Sequence, residues 1–339
     1  MRHLVLTGPK QLAWQEVPDP ELRSAREALV RPLAVATCDL DHPMIAGETP
    51  FPTPIALGHE CVAEVVEVGR EVEAVRVGDR VVVPFQISCG TCTRCGRGLT
   101  SDCERVAPLS MYGFGVAGGD RGGFLADLVR VPYADAMLVP VPDGVDSAAV
   151  ASVSDNVADA WRLVAPWLAE WPGEQVLIVG GAGSIGLYAI DAARALGAAR
   201  VVYVDRPGAR LDLAADLGAD VLDASADPPP ARGSFAITAD FSATAEGLRT
   251  ALAATAPGGH CTHAAPIFGA DVPLPMLAMY TMGVHLHTSR CAARPAIPTI
   301  LALTAAGRLH PERVTTKIVA WDDAQTELLT PRTKTVVTR

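Results

Sequence analysis

The chain has 339 residues, 49% of them hydrophobic, a formal net charge of -10 and 8 cysteines. That length supports two domains with ample cores, and an acidic balance without a Lys/Arg-rich run excludes a non-specific nucleic-acid binder. No apolar run reaches the roughly eighteen residues of a membrane span, and "MRHLVLTGPKQLAWQEV" lacks the apolar core of a signal peptide, so a soluble cytoplasmic protein is expected.

The N-terminal part is rich in short strand-like runs. "ALVRPLAV", "CVAEVVEVG" and "DRVVVPF" are separated by Gly, Pro and Asp, and "ETPFPTP" is a Pro-rich loop. Next comes Cys89-x2-Cys92-x2-Cys95-x7-Cys103. Four thiolates on short loops close a tetrahedral shell around zinc, leaving no position for water or substrate. A chain of this size needs no disulfide stapling, and the Cys-Pro signature of ferredoxins is missing, so structural zinc is the expectation. Any chemistry must then lie elsewhere.

From Asp146 the chain changes character: "DSAAVASVSDNVADAWRLVAPWLA" has helical apolar spacing and ends at Pro172-Gly173. Strand and helix then alternate. "QVLIVGG" is an apolar run of the kind buried on both faces, and "AGSIGLYAIDAARALG" a helix stopped by Gly197. "ARVVYVD", "RLDLAADLG", "FAITADF", "TAEGLRTALAAT" and "PGGHCTHAA" extend the series, which predicts a parallel sheet with crossover helices. "SADPPPARGS" reads as a surface loop, and "AIPTILALTAAG" as one more helix.

Gly181-x-Gly183-x-x-Gly186 falls between the first strand of this series and its helix, the context in which the pattern binds a dinucleotide. Gly181 permits the tight turn, Gly183 admits the pyrophosphate to the backbone, and Gly186 allows close packing of helix on strand. Ser184 and Ile185 open the helix whose N-terminus would face the phosphates. Asp205 ends the next strand, where a carboxylate binds ribose hydroxyls and disfavours a 2′-phosphate, so NAD is expected over NADP. Arg206 could stack on adenine or tolerate a phosphate, and Arg210 completes the cofactor-binding candidates. The plain alternative is a Gly-rich turn followed by a surface Asp.

Gly58-His59-Glu60 means little alone, and a lone Cys38 or His59 reads equally as a satisfied core residue. Taken in order, however, "GHE", "VGDRVVVPF", the four-cysteine lobe, "GGAGSIG" and "AGRLHPERVTTKI" with the closing "TKTVVTR" resemble the zinc-containing medium-chain dehydrogenases, the alcohol and polyol dehydrogenase superfamily. The resemblance covers nearly the whole chain. It implies an α/β fold: a GroES-like β-rich catalytic domain over residues 1–156 and 289–339, with its zinc lobe at about 88–104, and a Rossmann domain, a doubly wound parallel sheet, over 157–288, with the active site between them.

Matched motif by motif, the resemblance makes Cys38 and His59 catalytic zinc ligands, with Glu60 beside them as an exchangeable ligand or a neighbour of the ligands. The remaining protein ligand falls on Asp155, as in formaldehyde- and polyol-type branches; otherwise Asp155 is a helix N-cap. Asp41 would orient a ligand. Lys334 would serve the pyrophosphate, or be a plain surface lysine. Zinc in such a site lowers the pKa of an alcohol, whose hydride passes to the nicotinamide.

One departure stands out. Where the family usually keeps Ser or Thr for its proton relay the chain has Leu40, and where it often keeps a histidine the chain has Pro43. His42 could substitute, or be solvated or structural. The expected function is an NAD-linked dehydrogenase of a secondary alcohol or polyol with two zincs per chain. The alternatives are an aldehyde or ketone reductase using NAD(P)H, or a non-catalytic relative. The loops "HPMIAGETPF", "MYGFGVAGG" and "PLPMLAMYTMG" are candidate pocket walls. The family also implies a homodimer or homotetramer, paired through "GVHLHTS" as an edge strand.

Overall fold

Branched residues fit a pleated, half-buried surface, and the runs bounded by Gly and Pro fold as strands. The computed structural model describes every residue except Ala182 and Ala270. Eight strands come first: β1 (Arg2–Gly8), β2 (Gln11–Glu16), β3 (Ala28–Ala36), β4 (Ile55–Ala56), β5 (Glu60–Val68), β6 (Arg80–Val83), β7 (Val129–Val131) and β8 (Val139–Pro140). β1, β2 and β4 form a small sheet. β3 is antiparallel to β5 and β7, and β5 to β6.

The series that follows forms a six-stranded sheet: β9 (Gln175–Val179), β10 (Arg200–Asp205), β11 (Asp220–Asp223), β12 (Phe235–Asp240), β13 (Thr255–His263) and β14 (His285–Thr288). Its order is β11-β10-β9-β12-β13-β14, and every adjacent pair is parallel. The chain winds outward from β9 through β10 to β11, then returns to β12 and winds the other way. The carboxyl ends of β9 and β12 are therefore the switch point at which such sheets bind nucleotides. β15 (Lys317–Ala320) and β16 (Thr335–Thr338) return to the first unit, where β16 lies antiparallel to β3. The two compact units are Met1–Ala158 with Ala292–Arg339, and Asp159–Cys291.

The helical stretch after Asp146 is not one helix. Ser147–Val150 is α-helical, Ala151–Ser154 a 3₁₀ turn and Asn156–Glu170 a long α-helix, and Asp155 separates the last two with φ -149° and ψ -83°. "PLPMLAMYTMG", expected as a loop, contains the helix Met276–Met282, none of whose residues is buried. No helix among the described residues is long and apolar enough to cross a membrane.

Candidate metal centre and nucleotide site

Strand register brings the first group of residues together. Ala36 at the end of β3 pairs with Glu60 at the start of β5 and with Val336 in β16, so the residues just beyond these ends share one edge of the sheet. Those residues are Thr37 and Cys38, Gly58 and His59, and Lys334. Asp155 arrives from the 3₁₀ turn, which is pinned from both sides. Ala151 packs on Ala34 and Ala36, and Ser154 Oγ accepts the Cys61 N–H at 2.8 Å while donating to the Ala151 carbonyl.

Cys38 Sγ, a His59 ring nitrogen and an Asp155 carboxylate oxygen all lie within 4.8 Å of one another, and all three residues are buried. Asp155 Oδ2 is 3.7 Å from His59 Nε2. On the other side of the ring, Asp41 Oδ1 faces Nδ1 at 3.6 Å, and Asp41 Oδ2 accepts the Cys38 N–H at 2.7 Å. His59 has no solvent exposure, and neither ring nitrogen has a hydrogen-bond partner among the described residues. Buried nitrogens without partners are costly, and a cation beside Cys38, His59 and Asp155 would satisfy Nε2, with Asp41 facing Nδ1. Burial, then the carboxylates of Asp155, Glu60, Asp39 and Asp41, holds the Cys38 thiol well above its ordinary value, and burial lowers His59. A divalent ion reverses the first effect by stabilising the thiolate. The donor set, one sulfur, one imidazole and one carboxylate, is that of an open zinc site.

Glu60 and Lys334 pair with each other, a contact the sequence did not indicate. Lys334 Nζ donates to Glu60 Oε2 at 2.6 Å and to the Thr37 carbonyl, and both side chains are wholly buried. The ammonium is thus held by Glu60 and Thr37, beside which β16 delivers it, and Lys334 is not a plain surface lysine. Glu60 is turned to Lys334 and is not among the three converging donors. Burial pushes its carboxyl well above the usual range, and the Lys334 charge opposes that. His42 Nε2 accepts the Arg332 N–H at 3.1 Å, so this ring can exchange a proton only at Nδ1.

The four cysteines of the lobe form the second convergent set, with their sulfurs also within 4.8 Å of one another. Sulfur acceptors are tied to backbone donors: Cys89 N to Cys103 Sγ at 3.4 Å, Cys95 N to Cys92 Sγ at 3.5 Å, and Glu104 N to Cys92 Sγ at 3.4 Å. Burial acts against ionisation of Cys89, but hydrogen bonds from Thr91 and the backbone outweigh it and bring the thiol down to about 6. Preformed N–H···S contacts are what a thiolate shell around zinc requires. All eight cysteines are free.

The nucleotide candidates lie at the carboxyl ends of β9 and β10. Gly181 has φ +125°, open to glycine and strained for other residues. A Cβ on Gly186 would lie 3.1 Å from Tyr203 Cε2, and one on Gly180 would lie 2.1 Å from the Tyr203 hydroxyl. Tyr203, which sequence patterning treats as one more apolar strand residue, therefore requires glycine at 180 and crowds any side chain at 186. Its hydroxyl also donates to Asp205 Oδ2 at 2.9 Å. Ser184 and Ile185 are buried at the start of helix Ile185–Ala195, and Gly183 adjoins Ala182, which lies outside the described residues. Asp205 is 3% exposed and clamped by Arg210, Nε to Oδ2 at 2.8 Å and Nη2 to Oδ1 at 3.1 Å, while Arg206 N donates to Oδ1 at 2.7 Å.

Residues 24–143 match the alcohol dehydrogenase GroES-like domain, and residues 184–306 match the zinc-binding dehydrogenase domain. A zinc-binding alcohol dehydrogenase of Mycobacterium tuberculosis is 31% identical over 98% of this chain and 86% of its own. The chain belongs to the zinc-containing medium-chain alcohol dehydrogenase superfamily. Among solved structures, the Thermus sp. ATN1 alcohol dehydrogenase superposes with a TM-score of 0.90, at 29% identity over 100% of this chain and 99% of that one. A glutathione-independent formaldehyde dehydrogenase of Pseudomonas aeruginosa is 35% identical over 67% of this chain, which spans 60% of that relative. The chain is accordingly a zinc-dependent, NAD(P)-linked oxidoreductase of the alcohol dehydrogenase type.

Within this dehydrogenase two aromatic rings line the catalytic histidine candidate and a third backs one of them. Phe114 lies 4.8 Å from the His59 ring and Phe85 5.8 Å, and Phe51 stands edge-on to Phe114 at 5.3 Å. Phe51 and Phe114 were signalled only as apolar residues in candidate pocket loops, and Phe85 only as the end of the "VGDRVVVPF" run.

Proposed function

We propose that the enzyme transfers hydride between a small secondary alcohol or polyol and NAD, with catalytic zinc held by Cys38, His59 and Asp155 and structural zinc by Cys89, Cys92, Cys95 and Cys103. The observation that carries the reading is the convergence of the first three donors around a buried imidazole with no hydrogen-bond partner among the described residues. Zinc bound there polarises the substrate oxygen and lowers the pKa of an alcohol. Asp41 orients His59 from its Nδ1 side, leaving Nε2 for the metal. Phe85 and Phe114, the latter backed by Phe51, exclude water beside His59 and favour an apolar carbon adjoining the reacting centre. Leu40 has no group that can relay a proton, so the alcohol proton leaves by another group; His42 Nδ1, in the short helix Asp41–Ala46 that follows Leu40, is the candidate.

The glycines at 181, 183 and 186 and the acid at 205 support dinucleotide binding in the second unit. Free cysteines throughout fit a cytoplasmic enzyme. A homodimer or homotetramer belongs to the same reading: β14 is outermost in its sheet, and the preceding helix exposes Met276, Leu277 and Tyr280.

The test is NAD reduction by zinc-loaded enzyme across a panel of secondary alcohols and polyols, with Cys38→Ser alongside. Turnover by the parent, reduced at least about a hundredfold in Cys38→Ser with the fold intact, is the expected result. Undiminished turnover in the variant would remove Cys38 from the site, and no turnover in either direction with any alcohol or carbonyl would favour the non-catalytic relative.

A further inference from the structure

The parallel sheet carries a further set of metal-ligating side chains, in the other unit of the chain from both zinc candidates. His260 in β13 and His285 in β14 are partners in register, and His287 follows two residues along β14, so all three project from the same face. Their rings form a triangle. The centroids are 5.0 Å apart for His260 and His285, 5.1 Å for His260 and His287, and 6.3 Å for His285 and His287. Helix Asn156–Glu170 sets Trp167 against two of them, 3.9 Å from His260 and 4.4 Å from His287, and Trp167 is fixed in turn by its Nε1–H to Thr262 Oγ1 at 2.9 Å. β14 is outermost in the sheet, with His285 exposed and His287 half-buried, while His260 is only 9% exposed.

The closest approach is that of His260 Nδ1 to His287 Nε2, at 2.9 Å. Two nitrogens each about 2.05 Å from one ion stand about 2.9 Å apart at a right angle and about 3.3 Å apart at a tetrahedral one. The pair therefore has the spacing of neighbouring ligands in a square-planar or tetragonal shell, which Cu(II) and Ni(II) prefer, and is tight for tetrahedral zinc. On the far side of the His260 ring, Glu170 Oε2 lies 3.9 Å from Nε2. A carboxylate there favours the tautomer with its proton on Nε2, which leaves Nδ1 a lone pair. Burial, then the neighbouring imidazoles, lowers His260, and burial with His285 lowers His287, so both rings are neutral ligands at neutral pH.

We propose that His260 and His287 chelate a divalent late first-row metal, Cu(II) or Ni(II), on this face of the sheet, with His285 as a third imidazole and water completing the shell. The ion takes the place of the proton between the two rings, which His287 then carries on Nδ1, so both stay neutral. His285, being exposed, is free to turn toward the same ion. The three side chains leave the face of the sheet rather than its edge, so pairing of β14 with another strand leaves the site in place. The site is independent of the catalytic reading and adds no third zinc to the count.

Calorimetric titration of Ni(II) into tag-free, zinc-loaded enzyme tests this with a readout apart from turnover. One Ni(II) per chain is expected, with the bound zinc retained by elemental analysis. Affinity should fall about tenfold or more in His287→Gln and in His260→Phe, which keeps a ring stacked on Trp167, and by less in His285→Ala. His310→Gln, at an exposed histidine elsewhere, should leave it unchanged. Thermal melts establish that the variants fold, and the two β14 positions carry the test if His260→Phe does not. Three results would overturn the proposal. These are no uptake of Ni(II), full affinity in His285→Ala with His287→Gln, which marks adventitious binding elsewhere, and uptake matched by release of zinc. A third zinc held as tightly as nickel would overturn the choice of metal.

Discussion

Lys334 and Glu60 form an ion pair without solvent exposure, and the two residues are 274 positions apart in the chain. Removing one partner of such a pair leaves an uncompensated buried charge, whereas neutralising both removes the desolvation cost together with the attraction. Lys334→Ala should therefore destabilise the zinc-loaded enzyme by about 3–5 kcal/mol. Lys334→Met with Glu60→Gln should recover most of that loss in urea denaturation; a double variant as unstable as the single would show that Lys334 acts through packing alone. The pair also marks the limit of reading single residues from sequence. The four lobe cysteines were legible because the shell closes over local spacing. Cys38, His59 and Asp155 were legible through resemblance to a family, since nothing local relates them. The partner of Lys334 was not legible, because it depends on β16 lying antiparallel to β3, which no local pattern encodes.

At the scale of elements, the outer edge of the parallel sheet concentrates histidines. His260 pairs in register with His285, its Nδ1 is 2.9 Å from His287 Nε2, Trp167 stacks on its ring at 3.9 Å, and Glu170 Oε2 lies 3.9 Å from its Nε2. Burial, then the neighbouring imidazoles, holds His260 below its ordinary value against the opposing pull of Glu170, and burial with His285 lowers His287. The sign follows from proton linkage. As pH falls through about 6.5 the unfolded chain takes up these protons first, so stability is lost on acidification until the folded-state values are reached. The melting temperature should drop between pH 7 and pH 5, and by less in His260→Phe, which keeps a stacking ring; equal drops would place the sensitivity elsewhere. Among the elements, the strongly apolar β9 and β10 and their crossover helix were plain from periodicity. β11 was not anticipated, being four residues, Asp220–Asp223, with an acid at each end. Helix Met276–Met282 was missed because it is short and apolar all round, so no helical periodicity shows, while Pro273 and Pro275 suggest a loop. The division of the Ala-rich stretch at Asp155 lies below the resolution of a helical pattern, yet that division turns Asp155 toward His59.

At the scale of the molecule, a β-rich unit assembled from both ends of the chain carries both metal centres, and the inserted parallel sheet carries the glycine turn and Asp205. The alternation of strand and helix made the inserted sheet legible, but the return of the C-terminus to the first unit came only with the family, since β16 is short and its partner β3 is far away in sequence. The account depends most on there being two zinc sites of different kinds, one closed by four thiolates and one left open by three unlike donors. The most direct measurement is zinc per chain in the wild type and in Asp155→Ala, purified without chelators and equilibrated with zinc. About two in the wild type and about one in the variant, with the lobe still loaded and alcohol oxidation lost, is the predicted result. About one zinc in the wild type after equilibration, or an Asp155→Ala variant that retains both, would contradict it.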